Sequence, residues 1–325
     1  MDARQDLHAR KPPVSRFPGP PSTLQPRTSP RKPPPAVVGF PAGDRRGGGG
    51  REKMHLSRHA APGGPRWALD GRYLPAGFTL DLLLELPADG VEGFLRALPS
   101  GDPAGHPPLA PVEPGHEVWA SGVTYERSRE ARMLESSEAD IYDKVYTAER
   151  PELFFKAPGW RVVGPGEMVR VRADSAWNVP EPELVLVLNS RMEVVGYTAG
   201  NDVSSRDIEG ENPLYLPQAK IYDGACSLGP GIELAGAAEL GDLGISLRIL
   251  RGGEKAFEGE TSTSRMVRPP EELAAYLGRE LSFPRGAFLM TGTGIVPEED
   301  FSLSPGDAVE VAVGGMTLRN EVAPL

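Results

Sequence analysis

The sequence predicts an α+β fold that is mostly β, a mixed β-sandwich or roll with a small N-terminal subdomain. Three observations predict it. Short apolar runs recur down the chain between glycine- or proline-bearing turns. Runs with helical spacing are few, and most of them precede the strand-rich remainder.

Residues 1–53 hold eleven Lys/Arg against four Asp/Glu, with proline, glycine and serine prominent and no apolar period. Such a segment cannot bury enough surface to offset its chain entropy, so residues 1–59 are expected to be a disordered Pro/Gly/Arg-rich extension. Thr79–Pro87 and Val91–Pro99 carry apolar residues at helical spacing, and the proline-rich stretch Gly101–Ala120 leads into a strand. Residues 60–115 therefore read as the small subdomain. Residues 116–325 read as the catalytic domain, with strands expected at Val169–Ala173, Glu183–Asn189, Glu193–Gly200, Gly244–Arg251 and Asp307–Gly314. One helix is predicted after Pro269 and Pro270, with acids in its first turn and Leu273, Leu277 and Leu281 on one stripe.

Net charge is −10, and the N-terminal excess of +7 leaves −17 on residues 54–325. An acidic body argues against nucleic-acid binding, because neutralising phosphates requires a basic face. No apolar run approaches a membrane span, and the start lacks the apolar core of a secretory signal. The single cysteine, Cys226, permits no internal disulfide. A cytoplasmic location is the expectation.

The stretch WNVPEPELVLVLN, Trp177–Asn189, puts Glu181 and Glu183 at the mouth of an apolar run. Strand alternation places Glu181, Glu183, Val185 and Val187 on one face and Leu184, Leu186 and Leu188 on the other. Both faces are apolar downstream, so this is a buried central strand. NSRM, Asn189–Met192, signals a turn. With the turn centred between Ser190 and Arg191, Glu181 pairs with Gly200, and Asp202 lies two residues beyond. Three carboxylates then converge. Like charges this close raise one another's pKa or bind a cation, and an oxygen-only set suits Mg²⁺ first, then Mn²⁺ or Ca²⁺.

Ser204–Ile232 reads as a long loop dense in polar groups, among them Arg206, Asp207, Glu209, Gln218 and Lys220. Lys220 is either a surface lysine or a desolvated one placed for proton transfer. Thr124–Tyr146 reads as a charged, solvated helix, with a lid over the site as the sharper alternative.

The ordered set PEPELVLVLN, GYTAGNDVSSRD, QAK, LGP, TGTG and LSPGDAVEV resembles the fumarylacetoacetate hydrolase superfamily over residues 117–325. The resemblance implies a β-sandwich/roll of the fumarylacetoacetate hydrolase C-terminal type, with a metal on Glu181, Glu183 and Asp202. C–C hydrolases of that family carry a histidine three residues after a tyrosine. Here Tyr125 is followed by Ser128, and residues 117–325 contain no histidine, leaving only His116 near enough in sequence to substitute.

GVTYERSREAR, AERPELFFKA and EGENPLYLPQAKIY are instead similar to the 2-keto-3-deoxypentonate dehydratase branch, the L-arabinonate type above all and the D-epimer type nearly as well. That likeness implies a 2-keto acid substrate, dehydrated to 2,5-dioxopentanoate. Lys220 is the first candidate for proton transfer and Glu152 the second. Thr293, Arg206 and Gln218 are the candidate substrate contacts, although Arg206 fits a structural pairing with a carboxylate slightly better. A homodimer or dimer of dimers is the expected assembly. An acylpyruvate or β-diketone hydrolase and a non-catalytic binding protein remain the alternatives.

Overall fold

The computed structural model describes residues 53–135 and 144–325. Its organising element is the strand Pro182–Leu188, buried at every position. Leu184, Leu186 and Leu188 join one apolar cluster with Ile245, Leu247, Ile249, Val309, Val311 and Leu318. Val185 and Val187 join a second, with Leu56, Trp67, Leu80, Leu83, Leu84 and Leu95. Each such side chain fully buried is worth about 1.5–3 kcal/mol, which is why a strand apolar on both faces takes the centre.

Around it runs a ten-stranded mixed sheet. Across the sheet the order is Arg72–Tyr73, Arg66–Leu69, His55–His59, Cys226–Leu234, Val194–Asp202, Pro182–Leu188, Ala287–Met290, Glu117–Gly122 and Glu152–Pro158, with Pro108–Leu109 beside His55–His59. A five-stranded sheet packs on one face, ordered Glu254–Ser262, Gly244–Arg251, Ala308–Val313, Met316–Val322 and Met168–Val169. Helices Leu80–Leu84 and Ala88–Ala97 cover the other face.

Several details differ from the sequence reading. Residues 55–59, counted there with the extension, form a strand paired with Cys226–Leu234. The segment read as a separate subdomain extends the large sheet by three strands on that edge. Residues 1–52 lie outside the described residues, as do 136–143 of the charged helix, which is described over Glu126–Glu135. Of Val169–Ala173 only Met168–Val169 is strand. The helix Pro270–Leu277 stops at Gly278, leaving Leu281 past its end and 45% exposed. The expected loop 204–232 contains helices Arg206–Glu211 and Leu216–Lys220, the second with proline in its first turn.

The hairpin register also differs. Asn189 Oδ1 accepts from the backbone N–H groups of Arg191 (3.0 Å) and Glu193 (2.9 Å), which widens the connection beyond a two-residue turn. Val194 then faces Leu188, and a bulge follows before Gly196 pairs with Val187. The two-residue offset places Gly200 opposite Glu183. Asp202 donates its N–H to the Glu181 carbonyl at 2.9 Å, so these two residues lie face to face.

Candidate active site

Glu181 and Glu183 enter from the central strand and Asp202 from the end of its neighbour, all buried. One carboxylate oxygen from each lies within 4.8 Å of the others. Their surroundings are unequal. Glu181 has the Lys220 ammonium at 2.8 Å and the Arg206 guanidinium at 3.0 Å. Asp202 has Lys220 at 3.1 Å and is also ion-paired with Lys156. Glu183 accepts the Gly292 backbone N–H at 2.7 Å. Burial, and then repulsion from Asp202 and Glu181, push the Glu183 carboxyl well above the usual carboxylate range.

Local structure explains these positions. Thr291 ties its turn to the central strand, its hydroxyl donating to the Leu184 carbonyl at 2.9 Å. Gly292 follows at φ 87°, where a Cβ would lie 2.2 Å from Thr124 Oγ1. Only glycine lets the chain turn there and aim an N–H at Glu183. Across the cavity, Gly122 faces Glu152 in the strand pairing, and a Cβ on Gly122 would lie 2.1 Å from Glu152 Oε2. Lys220 ends the helix Leu216–Lys220, and its ammonium also donates to Ser204 Oγ at 2.8 Å.

The predicted residues mostly come together. Glu152, Glu181, Lys220 and Thr293 line one small cavity of about 20 Å³, with Ser121 and Ser128. A wider cleft of about 710 Å³ lies next along the same turn, lined by Tyr125, Gly294 and Ile295. Arg206, 2% exposed, is taken up by Glu181, with Glu209 at 3.6 Å, so its place is structural. Gln218 does not join the cavity. Its side chain is exposed, and its backbone carbonyl accepts from Arg172 at 3.1 Å. His116 does not reach it either: buried, it has Asp81 Oδ1 3.1 Å from its Nε2 and packs on Phe288. Ser128, where a hydrolase would carry histidine, spends its hydroxyl on the Tyr125 carbonyl at 2.7 Å.

Lys156 was missed. It is 1% exposed, pairs with Asp202, and donates to the carbonyls of Val203 and Lys220. Strand alternation sets it with Glu152 and Phe154, so a signal existed in ELFFKAP. It thereby ties Asp202 to the end of the Lys220 helix.

The chain belongs to the fumarylacetoacetate (FAA) hydrolase C-terminal family, whose model matches residues 117–323. It is 52% identical over 214 residues to a Haloferax volcanii protein named as a probable 2-keto-3-deoxyxylonate dehydratase, covering 65% of this chain and 73% of that one. It is 48% identical over 212 residues to the 2-dehydro-3-deoxy-D-arabinonate dehydratase of Saccharolobus solfataricus, covering 63% and 70%. Among solved structures, a 2-keto-3-deoxy-D-arabinonate dehydratase in apo form superposes with a TM-score of 0.71 at 36% identity, covering 83% of this chain and 98% of that one. The enzyme of that name complexed with magnesium and 2,5-dioxopentanoate gives 0.67 at 35% identity with the same coverage.

Proposed function

We propose that this protein is a Mg²⁺-dependent hydro-lyase that dehydrates a 2-keto-3-deoxypentonate to 2,5-dioxopentanoate. The observation that carries this reading is a buried cluster of three carboxylates, Glu181, Glu183 and Asp202, whose Glu181 lines a cavity with Lys220 and Glu152, in a segment with no histidine to activate a hydrolytic water. The dehydratase relatives support it. A pentonate deoxygenated at C3 and oxidised at C2 keeps one stereocentre, C4. The products from D-xylonate and D-arabinonate are therefore one compound, and we take that D-series acid as the substrate ahead of the L-epimer.

The residues present fit a divalent cation. Glu183 is a buried carboxylate whose close partner is a backbone N–H, and its raised pKa reports charge that a cation in the triad would compensate. Glu181, Glu183 and Asp202 would hold Mg²⁺, which supplies Lewis acidity toward the chelating carboxylate and C2 carbonyl of a 2-keto acid. Lys220 and Glu152 both line the cavity and serve the two proton transfers, removal of the C3 proton and protonation of the departing C4 hydroxyl. Loss of a C5 proton and protonation at C3 give the C4–C5 enol, and loss of its hydroxyl proton with protonation at C4 gives the aldehyde. Thr293 lines the cavity, its hydroxyl donating to the Ile295 carbonyl at 3.1 Å and accepting the Ile295 N–H at 3.2 Å, so it must turn from that carbonyl to donate to a substrate carboxylate. A homodimer, implied by the family resemblance, is checked by light scattering.

Metal-depleted protein supplied with Mg²⁺ and each C4 epimer is expected to form 2,5-dioxopentanoate, and EDTA to stop it. Cleavage of an acylpyruvate without dehydration would replace this reading by C–C hydrolysis. Failure to take up Mg²⁺ in titration calorimetry would leave a binding scaffold.

A further inference from the structure

Among the described residues, the buried hydroxyls of Ser121 and Tyr125 have no hydrogen-bond partner. Ser121, 2% exposed, ends the strand Glu117–Gly122 and lines the small cavity with Glu152, Lys220 and Thr293. Tyr125, 1% exposed, lines the wider cleft, and Glu183 lies close enough for its charge to act on the phenol. The Tyr125 ring is fixed by the turn beside it, since a Cβ on Gly294 would lie 2.6 Å from Tyr125 Cδ1. Burying a polar group without a partner is unfavourable, and such orphans cluster where a ligand completes them.

The charged groups around the triad are already engaged with one another: Lys220 with Glu181, Asp202 and Ser204, and Lys156 with Asp202 and two carbonyls. Ser121 and Tyr125 each add a neutral hydroxyl that both donates and accepts. An alcohol, which itself donates and accepts, uses both capacities of such a hydroxyl, whereas a carboxylate or a keto oxygen uses only the donor. Burial raises the Tyr125 pKa, so its phenol keeps the donor proton at any pH where an enzyme works.

We infer that Ser121 and Tyr125 are specificity-determining residues that read the terminal hydroxyl of the substrate, selecting a hydroxylated 2-keto acid over one ending in a methyl group. The inference rests on the dehydratase reading and deepens it. A site built to hydrogen-bond a substrate hydroxyl discriminates strongly against the analogue lacking it, because its own polar groups are then left unpaired.

The test compares full-length wild-type, Ser121→Ala and Tyr125→Phe proteins with Mg²⁺ on two substrates. One is the 2-keto-3-deoxypentonate. The other is 4-hydroxy-2-oxopentanoate, which keeps the chelating group and the leaving hydroxyl but lacks the C5 hydroxyl. The readout is the ratio of kcat/KM values. Wild type is expected to prefer the pentonate, and at least one variant to lower that preference by about tenfold or more. A structural role would depress both substrates together and leave the ratio unmoved. An unmoved ratio in both variants, with wild type active, overturns this inference and leaves the dehydratase reading standing. A wild-type protein inactive on both substrates overturns the dehydratase reading, and this inference with it.

Discussion

Glu183 concentrates the chemistry of the site in one side chain. It is fully buried beside two other carboxylates, and its close hydrogen bond is to a backbone amide. With its folded pKa raised, the metal-free protein holds a proton there that the unfolded chain has lost. That stabilisation is fully present below the unfolded value of about 4.3 and is lost as pH climbs through the raised folded value. Thermal melts of metal-free protein should thus show stability falling over that window, and Glu183→Gln should flatten the slope. The same variant should abolish Mg²⁺ uptake in calorimetry and lose turnover, while its circular dichroism stays native. The carboxylates were legible in the sequence because a two-residue period and an apolar run suffice to bury them. For Lys156 the strand period sets it on the face of Glu152, but its pairing with Asp202 is a contact between distant segments that no local pattern reveals. Gln218 was misplaced for a related reason: which face of a five-residue helix meets the cavity is decided by packing, not composition.

Turns set the geometry of the elements. The Thr291–Gly294 turn aims the Gly292 N–H at Glu183 from a left-handed backbone. Gly292→Ala is expected to cost about 1–3 kcal/mol from backbone conformation alone, before the clash with Thr124. It should also weaken Mg²⁺ affinity, measured by calorimetry, because the amide would swing away from Glu183. A stability loss with unchanged affinity would mean the turn supports the fold and not the triad. The hairpin shows how far sequence carries at this scale. Strand pairing and the convergence of Asp202 were predictable from apolar pattern and turn residues. The register was not, because it depends on Asn189 bridging the backbone of its own loop and on a bulge past Val194. The expected loop 204–232 holds two short helices and, from Cys226, the start of a sheet strand; the second helix tolerates Pro217 in its first turn, where the missing N–H costs nothing.

Among the described residues, two sheets pack face to face, with helices on the outer side of the larger one. The central strand serves both apolar clusters, and Glu183 in it and Glu181 just before it supply two of the three carboxylates, so a segment buried on both faces carries the candidate metal ligands. Both clusters and every proposed site residue fall within residues 53–325. From the Pro/Gly/Arg-rich composition of the residues before it, a chain beginning at Arg51 is expected to keep the melting temperature and turnover of the full chain, compared by calorimetric scan and steady-state assay. At this scale the sandwich class was readable from strand spacing. The joining of residues 55–109 to the large sheet was not, since those strands are two to five residues long and pair across great sequence distance.

The central claim is that this site removes water from an intact five-carbon acid. Uniformly ¹³C-labelled 2-keto-3-deoxypentonate, incubated with the protein and Mg²⁺ and followed by ¹³C NMR, tests it most directly. The account predicts one product with all five carbons still coupled in a chain and an aldehyde carbon at C5. A three-carbon 2-keto acid accompanied by a two-carbon aldehyde would show cleavage between C3 and C4 and contradict it.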